Sequence, residues 1–441
     1  MQKKPELNGT LLEVKDLKVH FPLRGSFVER LVGREPGSVK AVDGVSFQLQ
    51  RGEVLGLVGE SGSGKTTLGR ALLRLAEPTE GAIVYDGRDI TRVEEREMRS
   101  LRRKMQIVFQ DPHASLNPAM DLETAVGHPL SIHGVTKDKV DMRRRVSEML
   151  ERVGLAPADR FLTKYPGDLS GGQKQRAVLA RAIMLNPDLL VADEPVSMLD
   201  MSVRAKILEL MIGLKDEFDL TYLYITHDLA TARFFCDRIA IMYLGRIVEL
   251  GQTEEIFANP RHPYTASLLR AIPEPDPAKG IPRDLPRGEV PDAVTPPHGC
   301  NFHPRCPRAF EVCGWEARDV RDLLEERWAG MAEQEFTREQ ALIGDLDALD
   351  EVSEIARVPS TEGVRSRHVV ELLERIRREQ PETRLWKGAR SIEEGGKEAL
   401  IQFHEGLEPR HLVVDSVEVE CHLYDDEARG RAEEHARKGR K

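Results

Sequence analysis

Apolar and polar positions alternate along the first part of the chain. Val14, Leu17 and Val19 stand among polar residues and VSFQLQ (45–50) alternates, so residues 11–58 read as β-rich. EVLGLVG (53–59) is a short apolar run ending in glycine, the pattern of a strand buried on both faces. A helix is expected from Lys65 to about Leu75, and a strand at QIVFQ (106–110). Residues 115–182 read as mostly helical, with MRRRVSEMLERVGL the clearest amphipathic stretch. Strand and helix then alternate: LLVAD (189–193), the helical VRAKILELMIGLKDEF, then the strands TYLYIT and RIAIMYL. This order predicts an α/β fold with a mainly parallel sheet covered on both faces.

A boundary is expected at 272–298, a stretch holding eight prolines and read as an extended linker, because proline fixes φ and lacks an N–H. The expected domains are therefore 1–271, the linker 272–298, and a cysteine-containing region 299–441. Within the last, 316–410 is strongly charged and helical in pattern, as in VRDLLEERW and VVELLERIRREQ. That block reads as a solvated spacer, with an added regulatory lobe or a helical docking surface as alternatives; its few aromatic residues argue against a large independent core, and the closing EARGRAEEHARKGRK reads as a solvated tail. The 441 residues suit two or three domains. A net charge of −10 argues mildly against a nucleic-acid partner. No apolar run is long enough to cross a bilayer and the first residues do not form a secretory signal, so a cytosolic location is expected, with other chains supplying any membrane spans.

The first chemical motif is Gly59-Glu60-Ser61-Gly62-Ser63-Gly64-Lys65-Thr66, which fits G-x-x-x-x-G-K-S/T between a predicted strand and a predicted helix. Glycines let the backbone wrap phosphates with its N–H groups pointing inward, and a helix N-terminus adds positive potential. Lys65 can reach β- and γ-phosphates, and the Thr66 hydroxyl can ligate Mg²⁺. Asp193 ends a strand, where a carboxylate can hold that Mg²⁺, and Glu194 beside it can act as general base toward water. The alternative for such an Asp-Glu pair alone is a solvated turn.

Leu169-Ser170-Gly171-Gly172-Gln173 precedes the Asp193 strand, and LSGGQ beside this loop resembles the ATP-binding cassette ATPases over about residues 11–270. The resemblance implies a P-loop NTPase cassette with an antiparallel β subdomain and a helical signature subdomain. It implies that Gln110 is the Q-loop glutamine and a Mg²⁺ ligand, that Asp200 in Ser197-Met198-Leu199-Asp200 belongs to the D-loop, and that His227 in YITHDL is the switch histidine. Thr67 joins the phosphate loop. Phe21 aligns roughly with the family's adenine-stacking aromatic, with a core position as the alternative. Ser170, Gly171, Gly172 and Gln173 would complete the ATP site of another ATPase subunit, so a homodimer or a pair with a related subunit is implied. ATP closes such a pair, and loss of the γ-phosphate contacts lets it open.

VKAVDGVSF (39–47), GRALLRL (69–75), VFQDPHASLNP (108–118), HPYTASLL (262–269) and GCNFHPRCP (299–307) resemble the dipeptide and oligopeptide importers. That resemblance implies two integral-membrane permeases, an extracytoplasmic solute-binding protein, and a place on the cytoplasmic face of the membrane. Met105, Val108, Phe109 and the basic run 99–104 would line the permease-docking groove. A soluble cassette ATPase acting on nucleic acid or ribosomes is the competing class, but those usually carry long coiled coils, zinc hooks or two cassettes in one chain. An exporter is a third reading, and exporter cassettes are commonly fused to their spans.

Cys300, Cys306 and Cys313 are spaced x5 and x6, wider than the tight pairs of structural zinc sites. Cys421 follows far downstream, in a Cys-His-Leu that resembles one near the chain end of the importers. Four thiolates are what a 4Fe–4S cluster or an all-cysteine zinc site needs, and unliganded thiols are the third alternative. Cys236 reads as a buried thiol.

Overall fold

The computed structural model describes residues 9–23, 37–272 and 289–438. Most of the proline-rich stretch and most of the Arg/Gly-rich loop after Phe21 lie outside the described residues. The chain divides into two compact units, Met1–Ala258 and Asn259–Lys441.

Among the described residues the first unit has ten strands: β1 Thr10–Pro22, β2 Ser38–Gln50, β3 Val54–Val58, β4 Glu80–Tyr85, β5 Arg88–Asp89, β6 Met105–Val108, β7 Leu189–Asp193, β8 Thr221–Thr226, β9 Arg238–Tyr243 and β10 Arg246–Gln252. β1 pairs antiparallel with β2 on one side and with β4 on the other, and β5 closes the edge beside β4. In the larger sheet the order β9-β3-β8-β7-β6 is parallel throughout, and β10 returns antiparallel to β9. Every residue of β3, β7 and β8 is buried, which is why these strands read as unbroken apolar runs.

Helix α1, Lys65–Leu72, follows β3 directly, and its Leu68 and Leu72 join one core with Leu12 and Ile83 of the antiparallel sheet and Val191 and Ile225 of the parallel one. That shared core fixes the start of α1 against the ends of β3 and β7. Helices α2 Leu122–Ile132, α3 Lys139–Arg152 and α4 Gly171–Ile183 fill the predicted helical stretch. Helices α5 Met201–Phe218 and α6 Leu229–Phe235 follow β7 and β8.

The second unit begins ahead of the expected boundary at 271. Helix α7, Pro263–Arg270, belongs to it, because its residues pack inward there. The ring of Tyr264 lies 5.2 Å from that of Phe302, and His262 lies 5.8 Å from the same ring. The block 316–410 differs from the solvated spacer expected of it. It contains helices α8 Ala317–Ala329 and α9 Ser366–Glu379 and three strands, β11 Ile355–Pro359, β12 Ala389–Glu394 and β13 Glu398–Phe403. These form an antiparallel sheet in the order β11-β13-β12. α9 buries Val369, Leu372, Leu373 and Ile376, one helical stripe that packs on β12 and β13. The period-2 alternation of EALIQF supplies the other side, with Ala399, Ile401 and Phe403 buried. A short hairpin of β14 His411–Val414 and β15 Val417–Glu420 follows. The expected solvated tail is helix α10, Asp426–Lys438, held by buried Ala428 and Ala432 against Val312.

Candidate functional site

The loop between β3 and α1 must pass two backbone carbonyls at close range. A Cβ on Gly59 would lie 2.1 Å from the carbonyl oxygen of Met242, and one on Gly64 would lie 1.9 Å from that of Ala41. Gly64 also has φ of +99°, a left-handed conformation that L side chains rarely adopt. Ala41 and Met242 were not legible as parts of the site, because they act through backbone atoms and leave no side-chain signal. Ser63 is buried, and its carbonyl accepts the Gly245 N–H at 3.0 Å. Ser61 and Gly62 are exposed at the loop crest, and Thr67 is half-buried in the first turn of α1.

Lys65 turns back under the loop. Its Nζ donates to the carbonyls of Gly59 at 2.9 Å and Glu60 at 2.7 Å. Burial lowers its pKa below the ordinary lysine range, while the carboxylates of Glu194, Asp193 and Glu60 act against that. Thr66 Oγ1 donates to Asp193 Oδ1 at 3.1 Å, so hydroxyl and carboxylate face one point at the end of β7. Burial raises the Asp193 pKa, and the Glu194 charge adds to it. A buried ammonium and a buried carboxylate, both shifted toward neutrality, await charges that compensate them. A polyphosphate with a divalent cation has that chemistry.

Glu194 sits at φ +47°, with its N–H held by the Ile225 carbonyl at 2.9 Å. This turn aims its carboxylate away from the strand. Gln110 Nε2 donates to Glu194 Oε2 at 3.0 Å, and His227 Nδ1 lies 3.0 Å from Glu194 Oε1. Gln110 stands two residues past the end of β6 and not at its last position. The next residue, Asp111, caps a short turn by accepting the His113 N–H at 2.7 Å. Asp228 accepts the Ala230 N–H at 2.9 Å and the Arg204 guanidinium at 2.9 Å, so the residue after His227 is pinned on two sides. The N-cap position of Asp228 before an apolar run was the signal that could have found it.

Ser170 caps α4 with Gln173 in a reciprocal capping box, and Gly171 is exposed beside it. Gly172 lies against α5, where a Cβ would meet Val203 Cγ1 at 2.6 Å. Asp200 caps α5 through the Val203 N–H at 3.0 Å, and its pKa is lowered by the Ser202 hydroxyl and that N–H. Signature and D-loop residues therefore share one exposed edge, with Met198 and Met201 also exposed there. Phe21 lies on β1 opposite Val39 and is 44 % exposed, so the core reading does not hold.

The ABC transporter family matches residues 42–197, and the family described as Oligopeptide/dipeptide transporter, C-terminal region matches residues 248–313. The oligopeptide transport ATP-binding protein AppF of Bacillus subtilis is 47 % identical over 307 residues, 69 % of this chain and 91 % of the relative. This chain is an ABC transporter ATPase. The dipeptide transport ATP-binding protein DppF of Haemophilus influenzae is 45 % identical over 73 % of this chain and 95 % of its own length. An ABC ATPase uses ATP with Mg²⁺, and the loop and the Thr66–Asp193 pair fit both. In this ABC ATPase, no helix among the described residues is long and apolar enough to cross a membrane.

In the second unit, Cys300, Cys306, Cys313 and Cys421 line one small cavity with His262, His303 and His422. Burial raises the Cys306 pKa to about 11 and raises those of Cys300 and Cys313 as well. Among the described residues no three or more His, Cys, Asp or Glu side chains stand as a metal-holding set. Cys236 is buried beneath β3, where a Cβ on Gly56 would meet its Sγ at 2.7 Å.

Proposed function

We propose that the chain is the ATP-hydrolysing subunit of an importer of di- or oligopeptides, docked on two membrane permeases at the cytoplasmic face and paired with a second cassette. The observation that carries the ATPase part is the Gln110–Glu194–His227 contact set beside the Thr66–Asp193 pair. The peptide assignment rests on the two importer relatives and on the matched C-terminal family.

In this reading the N–H groups of residues 60–66 and the Lys65 ammonium bind the phosphates. Thr66, Asp193 and Gln110 would hold the Mg²⁺, which would neutralise phosphate charge when bound. Glu194 takes a proton from the attacking water onto a carboxylate oxygen, while His227 and Gln110 hold that carboxylate in place. A carboxylate has about four acceptor positions, so two hydrogen bonds leave room for the water. Phe21 stacks on adenine. The exposed Ser170–Gln173 segment and Asp200 close the site of the partner cassette, and γ-phosphate loss releases them. Co-purification in mild detergent with two multi-span subunits and a second cassette is the expected outcome; soluble companions alone overturn the importer.

The four thiols keep iron–sulfur and zinc ligation as proposals, supported by their shared cavity and not by ligating geometry. Iron and zinc below stoichiometric level in anaerobically prepared protein would discard both.

A further inference from the structure

Glu194 belongs to a closed circuit of contacts. Its Oε1 lies 3.0 Å from His227 Nδ1, and Asp228 follows His227 in the chain. Asp228 divides its carboxylate between two tasks. Oδ1 accepts the Ala230 N–H at 2.9 Å and caps α6, while Oδ2 accepts from Arg204 Nη1 at 2.9 Å. The other arm of that guanidinium, Nη2, reaches the Leu199 carbonyl at 3.4 Å. Leu199 lies in the turn that leads from Glu194 to α5, and in that turn the Ser197 hydroxyl donates to the Glu194 carbonyl at 3.0 Å. The circuit thus returns to Glu194, gripping it by side chain and by backbone.

Arg204 is the piece of this circuit that lies outside the nucleotide motifs. It stands in the first turn of α5, and its own N–H donates to the Asp200 carbonyl at 2.8 Å, so the start of the helix sets its position. Its side chain and that of Asp228 are each 29 % exposed, which leaves the pair partly sheltered from water. Its Nε is buried without a hydrogen-bond partner, so among the described residues the two Nη contacts hold the guanidinium in place. A planar guanidinium can fork to two such acceptors, whereas an ammonium is a point charge. The turn it grips is under demand at both ends. Glu194 has φ of +47°, a left-handed conformation that a non-glycine residue keeps only when its surroundings hold it. At the other end the signature segment packs on it: a Cβ on Gly171 would lie 3.5 Å from Leu199 Cδ2, and one on Gly172 would lie 2.6 Å from Val203 Cγ1.

We propose that Arg204 is a positioning residue for ATP hydrolysis: through Asp228 and the Leu199 carbonyl it locks the His227 loop to the turn before α5, and so fixes the direction of the Glu194 carboxylate. This inference rests on the reading of Glu194 as the base and His227 as its orienting partner.

The test is steady-state ATPase kinetics of the full chain, with thermal unfolding measured alongside. Arg204→Gln should lower kcat by about tenfold or more, the scale of a misdirected catalytic group, with KM for ATP and the unfolding midpoint close to wild type. Asp228→Asn keeps the cap on α6, because Asn serves as well as Asp there, and removes the charge that Arg204 grips. It should show a similar loss, and it carries the result if Arg204→Gln fails to fold. The double variant should lose no more than either single one, since both break the same link. Arg204→Lys keeps a charge near Asp228 without the fork and should fall between wild type and Arg204→Gln. Turnover of Arg204→Gln within about twofold of wild type, losses that multiply in the double variant, or full turnover in Arg204→Lys overturns the bridge. A raised KM with unchanged kcat also overturns it, by moving Arg204 into nucleotide binding. Near-normal turnover in Glu194→Gln removes the base and this inference together, whereas an inactive Glu194→Gln beside a fully active Arg204→Gln removes the bridge alone.

Discussion

His227 Nδ1 lies 3.0 Å from Oε1 of Glu194, although 33 positions separate them in the chain. β7 and β8 are parallel neighbours, so the residues just past their ends meet above the sheet edge. In the proposed mechanism this contact orients the carboxylate that takes a proton from water. Glu194→Gln keeps the shape and the hydrogen-bonding reach but removes the basicity. ATP hydrolysis should fall by roughly 10²–10⁴-fold, the usual contribution of a positioned base, with nucleotide binding retained. Phosphate release measured beside nucleotide affinity checks this, and near-normal turnover would discard Glu194 as the base.

Lys65 spends its donors on Gly59 and Glu60 carbonyls that lie in the loop itself. A phosphate oxygen offers a charged acceptor in place of those neutral ones, and charge-assisted hydrogen bonds are roughly twice as strong. Lys65→Ala should therefore lose tight ATP binding, with a native circular dichroism spectrum showing that the fold is retained although Lys65 is buried. A fluorescent-nucleotide titration that finds unchanged affinity removes Lys65 from the phosphate site.

How much of this was legible depends on what the residues report. β7 and β8 match the apolar runs LLVAD and TYLYIT residue for residue, because strands buried on both faces cannot hide their pattern. The phosphate loop was equally plain, since only glycine tolerates the close carbonyls at 59 and 64. The fold of 316–410 was not. Its charge density conceals the alternation of short strands such as IARVP, whose buried positions are only Ala356 and Val358. The convergence of Cys421 with Cys300, Cys306 and Cys313 depends on the path of the whole inserted block, which spacing does not reveal.

Ser170 serves α4 as its N-cap, and its proposed second role lies across a subunit interface. The two roles predict different losses. Ser170→Ala should cost about 0.5–2 kcal/mol of stability through the cap alone. If Ser170 also contacts a partner's γ-phosphate, hydrolysis should fall far more than that modest destabilisation explains, and mixing with a Glu194→Gln subunit should restore activity, because each mixed pair has one site with both Glu194 and Ser170 intact. Denaturation curves set beside turnover separate the cases. A stability loss with normal turnover would leave the serine as a cap only.

His262 is the sharpest pH sensor in the second unit. It is 1 % exposed, its Nδ1 accepts the Tyr264 N–H at 3.1 Å, and burial, with His422 nearby, depresses its pKa to about 3. A histidine whose folded pKa lies below its unfolded value of ~6.5 is stabilising as the neutral ring, and that stability is lost as pH falls from 6.5 toward 3. The slope is about 1.4 kcal/mol per pH unit for one proton, so acidification from pH 6.5 to 5 should remove about 2 kcal/mol of the His262 contribution. Asp322, raised to about 6 by burial and by Asp319, works in the opposite direction, since the folded state binds its proton below that value while the unfolded state does not, and Glu316 is raised in the same sense. Two other shifted groups stay nearly constant in that window. Asp425, held down to about 2 by Arg410, loses its contribution only below its unfolded value near 3.8. His303, raised by Asp319 against burial, contributes fully below pH 6.5. His422 is depressed in the same direction as His262 and leaves a residual slope. His262→Asn keeps an N-cap acceptor for α7 and removes the titration. Trp315, Trp328 and Trp386 are the three tryptophans of the chain, and all lie in the second unit, so their fluorescence during urea unfolding reports that unit alone. The expected result is a difference between the two proteins: from pH 6.5 to 5 the variant gains about 2 kcal/mol relative to the wild type, the equivalent of about one proton. Parallel slopes in the two proteins would show that His262 is not the group that titrates.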